Sequence, residues 1–156
     1  MTSTQEMSDA QLAGQPVAYW TGVAYEATIA YIRARQAEQG YTQPQFWLLR
    51  NLSVNDISPD GEGMTLAALR TAMASYLRRE DDLAAEAEVL VARGWLTRDA
   101  EDRLWLTELG ERTRVELRRN TPAIRGALHA GIDDADYVTT VKVLKQLIRN
   151  AGGPAA

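Results

Sequence analysis

The side chains that carry chemistry in this sequence are carboxylates, guanidiniums and aromatic rings. Cysteine is absent, which removes disulfides, thiolate metal sites and thiol nucleophiles together. A single histidine, His129, is too little for an imidazole metal cage or a proton relay, and its place beside a Gly-bounded break reads as an ordinary helix-end residue. No Gly-x-Ser-x-Gly elbow and no phosphate-cradling glycine loop occurs; Gly61-Glu62-Gly63 falls far short of a nucleotide-binding signature. Asp133, Asp134 and Asp136 stand close enough to hold a cation, but a helix N-terminus favours acidic residues in any case. The expectation is therefore no catalytic residue, no metal ligand and no cofactor, and the chain does not read as an enzyme. What remains is binding chemistry. Arginines and acids alternate between residues 78 and 103, further arginines follow between 112 and 125, and seven of the 11 aromatics lie between 19 and 47.

These groups sit on a chain of 156 residues, the length of one domain with one sizeable core. Hydrophobic residues at 46% and charged residues at 24% are ordinary for a folded protein. Seventeen basic and 21 acidic side chains give a net charge of -4, which excludes a uniformly basic nucleic-acid coat but not a local basic patch. No apolar run approaches the ~18 residues that cross a bilayer. The opening MTSTQEMSDAQLAG has neither the basic nor the apolar region of a secretory signal. No membrane partner and a cytoplasmic location are expected.

Helical spacing dominates. Val17, Trp20, Ala24, Ala27, Tyr31 and Ala34 step by three and four, predicting a helix from Pro16 to Gln39 that Gly40 ends. Thr42 opens a second helix, with Pro44 tolerated in its first turn and Phe46, Leu48, Leu49 and Leu52 along it. NDISPDGEG is a loop. Thr65 is read as the N-cap of a third helix through Leu77, and a fourth runs through Leu83, Ala87 and Leu90 to Arg93-Gly94. The period then changes: residues 95–98 and 103–106, separated by DAED, predict a β-hairpin. Thr107 caps a long helix that Pro122 kinks or restarts, and a last helix ends at Asn150.

Four segments in this order, TQPQFWLLRNL, MTLAALRTAM, LVARGWLTR and LWLTELGERTRVEL, resemble the MarR family of transcriptional regulators. With the flanking helices the resemblance covers residues 16–150. It implies a mostly α fold with a small β-hairpin, a winged helix-turn-helix flanked by N- and C-terminal dimerisation helices. The implied division is a disordered arm at 1–14, dimerisation helices at 15–41 and 111–150, the winged helix-turn-helix at 42–110, and a disordered tail at 151–156. The resemblance further implies a homodimer, double-stranded DNA as partner, and a small lipophilic or aromatic effector. Together these describe a ligand-responsive repressor. Val17, Val138, Val141, Leu144 and Ile148 are the expected dimer contacts. The apolar stripes agree, since they are long for a small lone domain to cover, although both can also pack within one subunit.

The resemblance carries seven candidate DNA contacts: Thr65, Arg78, Arg79, Asp82, Ala85, Arg98 and Arg103. Arg78 and Arg79 read as phosphate clamps at the edge of the turn or as simple exposed charges. Arg98 and Arg103 reach a minor groove or pair with Asp99, Glu101 or Asp102. The segment expected in the major groove departs from the family, because Asp81, Asp82, Ala84 and Ala85 stand where Ser, Thr and Arg are usual. Residues 79–93 hold two basic side chains against five acidic ones, a net charge of -3. Aspartate accepts a hydrogen bond from cytosine N4, yet carboxylates approaching phosphates oppose binding. Two readings therefore stay open: a DNA-reading dimer, or a winged-helix dimer with weak or no DNA binding that holds a small molecule or protein. Trp20, Tyr31, Phe46 and Trp47 either line an effector cleft or form an aromatic core or interface. Arg112, Arg114, Arg118, Arg119 and Arg125 read as a solvated helix surface.

Overall fold

The computed structural model describes residues 6–154; expectations for residues 1–5 and 155–156 lie outside the described residues. In chain order the elements are α1 (Asp9–Ala13), α2 (Val17–Glu38), α3 (Gln43–Leu52), β1 (Met64–Thr65), α4 (Leu66–Met73), α5 (Leu83–Ala92), β2 (Leu96–Arg98), β3 (Arg103–Leu106), α6 (Glu108–Arg118), α7 (Thr121–Leu128) and α8 (Asp134–Asn150). They form two compact units, the first running to Arg114 and the second beginning at Val115. Among the described residues, no helix is long and apolar enough to cross a membrane.

The first unit is built on α3. Thr42 and Gln45 close a reciprocal capping box at its start, satisfying two backbone N–H groups that the first turn leaves open. Leu48, Leu49 and Leu52 then point into a core shared with Leu69 and Met73 of α4, Leu83, Ala87 and Leu90 of α5, and Leu96 and Leu104 of the strands. Each such leucine removed from water contributes about 1.5–3 kcal/mol. Thr65 caps α4 through Ala68 N, and Asp82 caps α5 through Ala85 N. The strands form a three-stranded antiparallel sheet in the order β1-β3-β2, with Met64 opposite Leu104 and Leu96 opposite Leu106.

Three expectations are corrected in this unit. Part of the segment read as a disordered arm is helical: Ser8 and Gln11 form a capping box that holds α1. The third helix ends at Met73 rather than Leu77, because residues 74–81 form successive turns before α5. The hairpin also gains a third strand, β1, whose two residues are too few to show a period.

In the second unit Pro122 restarts the chain as a new helix rather than kinking the old one, since α6 stops at Arg118 and the ring fits the first turn of α7. Neither α7 nor α8 carries a buried residue. Val138, Val143 and Ile148 are exposed, with Val141, Leu144 and Leu147 half-buried. The tail begins as a C-terminal cap, with the N–H of Gly153 donating to Ile148 O at 2.9 Å.

Candidate nucleic-acid interface

The turn between α4 and α5 sets how α5 is presented. Arg78 O accepts from Asp81 N at 3.1 Å, and the Asp81 carboxylate accepts from Arg78 N at 2.7 Å. Asp81 also accepts both terminal nitrogens of Arg33 on α2, at 2.7 and 2.8 Å. This bidentate pair holds the Asp81 carboxyl below its usual pKa, the Arg33 hydrogen bond being the leading cause. Asp81 therefore faces inward and ties α2 to the entry of α5. Asp82 alone of the two stands outward, as the N-cap.

The acidity counted along the sequence is largely answered by arginines from other segments. Glu80 pairs with Arg78 at 2.6 Å, Asp81 with Arg33, and Glu88 with Arg98 of β2. Counting charge within residues 79–93 misses these partners because none of the three arginines lies in that window. The same pairing occupies the candidate contacts. Arg78 is held by Glu26 and Glu80 and lies over the Tyr25 ring, so it is committed within the chain. Arg98 also pairs with Asp102 at 2.7 Å, and Arg103 with Asp99 at 2.9 Å. Arg79, exposed at the turn, carries no ion pair among the described residues, and nor does Arg70 on α4. Thr65 is spent on its cap, while Asp82, Ala85 and Val89 form the exposed edge of α5.

The wing is organised by Asp99. Its carboxylate accepts from Glu101 N, Arg103 N, Arg103 Nε and Trp105 Nε1, the last at 2.7 Å. These bonds, led by the indole N–H, lower its pKa. Asp102 takes the left-handed conformation at φ 61°, which closes the four-residue tip without a glycine. At the other end, Thr107 Oγ1 donates to Gly94 O at 2.6 Å and accepts from Gly110 N at 2.9 Å, so one hydroxyl joins the end of α5 to the start of α6.

Arg114 corrects the reading of a solvated surface, being only 4% exposed. It donates to Glu111 at 2.8 and 2.7 Å and to Asp56 at 3.1 Å. Glu111 in turn accepts from Ser53 and Asn55, and Arg50 holds Asp56 at 3.0 Å. This cluster anchors the loop that leads into β1. The (i, i+3) spacing of Glu111 and Arg114 was its only signal in the sequence.

The four aromatics expected to line a cleft are spread over separate places. Phe46 is in the core, edge-on to Tyr41. Trp47 stacks on Tyr76 at 4.1 Å, and the Arg50 guanidinium lies 4.5 Å from its ring centroid. Trp20 is exposed against Tyr19, and Tyr31 lies about 16 Å further along α2. A cavity of about 140 Å³ lies instead between α2, α3 and the entry of α5, bounded by Arg33, Tyr41, Thr42, Gln43, Asp81 and Glu86.

A helix pair with a capped second helix, followed by a two-stranded hairpin that β1 joins and by a further helix, places the chain among solved structures of MarR regulators. A regulator of that family from Silicibacter pomeroyi matches with a TM-score of 0.65 over 93% of this chain and 99% of its own, at 17% identity. The chain has the MarR winged-helix fold. Two more proteins share it. BpsR from Bordetella bronchiseptica, whose DNA binding is regulated by 6-hydroxynicotinic acid, gives a TM-score of 0.62 at 22% identity over 85% of this chain and 93% of its own. CouR from Rhodococcus jostii, solved bound to p-coumaroyl-CoA, gives 0.61 at 16% identity over 92% and 95%. No protein-family model matches the sequence, and no curated protein does. The helix pair is α4 and α5, and the hairpin is β2–β3.

Proposed function

We propose that the chain is a homodimeric, effector-responsive repressor that binds duplex DNA, with α5 entering the major groove and the wing beside it. The observation that carries this reading is the presentation of α5. Its N-terminal edge is exposed in a MarR fold, and its acidic neighbours are neutralised by Arg33, Arg78 and Arg98. A second copy covers the exposed front half of α2, including Val17 and Trp20, together with the unburied faces of α7 and α8 around Val138, Val141, Leu144 and Ile148. Two-fold symmetry then sets two copies of α5 one helical turn of DNA apart. A small aromatic or lipophilic effector shifts DNA affinity by its differential affinity for the two arrangements, a reading supported by the regulation of BpsR's DNA binding by 6-hydroxynicotinic acid. The protein works in the cytoplasm.

Gel-shift titration with the duplex upstream of its own gene, repeated across salt concentrations, tests the proposal. Among the described residues of the helix-turn-helix, only Arg70 and Arg79 are exposed with neither an ion pair nor a backbone contact of the kind that holds Arg93 on Gly40 O. With four such cations per dimer, the logarithm of affinity is expected to fall with log salt at a slope of about -4. A slope twice as steep contradicts the assignment of Arg78, Arg98 and Arg103 to internal pairs. Those same pairs favour a second reading, a winged-helix dimer that binds a small molecule or protein with little DNA affinity; absence of any shift at low salt selects it.

A further inference from the structure

The major groove meets no hydrogen-bond donor on α5. The ten side chains of LAAEAEVLVA are aliphatic or carboxylate, and the residue that caps them is Asp82. Arg93, just past the helix, is turned away: it donates to Gly40 O at 3.0 Å and lies over the Trp95 ring. Guanine shows two acceptors in the major groove and is read by Arg or Lys; adenine is read by Asn or Gln, which match its donor and acceptor together. None of these residue types occurs on α5.

What the helix does offer is an exposed row at i, i+3 and i+7: Asp82, Ala85 and Val89. Asp82 uses Oδ1 to cap Ala85 N at 3.0 Å, and Oδ2 has no partner among the described residues. A carboxylate oxygen suits the N4 amino group of cytosine. It is repelled by N7 beside the amino group of adenine, and by both acceptors of guanine. Ala85 and Val89 present methyl groups, which suit the C5-methyl of thymine. Glu88 is also on the outer side, but Arg98 of β2 engages it.

Taking the DNA-reading function above as its basis, we propose that α5 reads pyrimidines: a cytosine amino group through Asp82, and thymine methyl groups through Ala85 and Val89. No guanine is contacted from this helix. Specificity in each half-site then comes from the pyrimidine-bearing strand.

The test is selection of duplexes from a random pool by the full chain at low salt, followed by two substitutions. Asp82→Asn keeps a good N-cap and so keeps the fold. It is expected to move one position of each half-site from C·G to A·T, with a preference change of about tenfold or more. Replacing the selected thymines by deoxyuridine is expected to weaken the wild-type chain about fourfold per contacted methyl. Selected sites that ignore both substitutions overturn the inference while leaving DNA binding intact. Failure to enrich any duplex overturns the DNA-reading function itself, and this inference with it.

Discussion

Arg114→Met is expected to lower the unfolding free energy at pH 7 by about 3–5 kcal/mol, against a change below about 0.5 kcal/mol for Arg112→Ala. The two arginines lie two residues apart on α6 but in opposite surroundings. Arg112 is exposed and meets Glu108 at 3.0 Å across solvent. Arg114 is buried and is the cation on which Glu111 and Asp56 converge. Methionine keeps much of the volume while removing the charge, and it leaves the two carboxylates beside each other without the cation that they share. Urea denaturation of the two variants measures the contrast. Equal, small effects refute the role given to the cluster in anchoring residues 53–58.

The same cluster fixes a pH dependence. Hydrogen bonds from Arg114, and then from Asn55 and Ser53, hold the Glu111 carboxyl at about 2, against an unperturbed 4.5. The unfolded chain therefore takes up this proton first as pH falls. The contribution is complete above the unfolded value and is lost progressively from about pH 5 down to about pH 2. In Arg114→Met this part of the acid dependence is expected to shrink, which a series of denaturation curves across that range reads directly.

Gly110→Ala is expected to cost about 3 kcal/mol and to remove most DNA affinity. A Cβ at residue 110 stands 2.0 Å from the Trp95 carbonyl oxygen and 2.8 Å from Leu106 Cδ1. The oxygen is backbone, and it accepts the N–H of Thr107 at 3.1 Å, so it cannot swing aside as a side-chain tip would. Either α6 or the start of β2 must move, and with it the wing. Gly126→Ala in α7 is the matched control, since nothing lies within 4 Å of the added carbon. There the gain in helix propensity is expected to raise stability by up to about 1 kcal/mol. Equal effects from the two glycines would mean that the Thr107–Gly110 junction does not hold the wing.

The architecture was legible because its signals are local. Thr42, Thr65 and Thr107 each cap the helix that their position announced, and Gly94 ends α5 where Arg93-Gly94 predicted. Pro122 declared a discontinuity, though not whether the chain would bend or restart. The candidate site was less legible because its electrostatics are not local. Arg33 lies 48 residues from Asp81, and Arg114 lies 58 from Asp56. No sequence window brings those partners together, so three of the five carboxylates in residues 79–93 meet arginines that a count along the chain leaves out. The aromatic run allowed either a cleft or a core or interface, and the folded chain shares its density between residues 19 and 47 among an exposed helix, a core and a stacked pair.

Sedimentation equilibrium of the full chain mixed with a duplex of about 25 base pairs from its own upstream region tests the central claim most directly. The account predicts a single complex of two chains per duplex at low salt, formed from protein that is already dimeric. A complex of one chain per duplex, or protein and DNA that sediment separately, contradicts it.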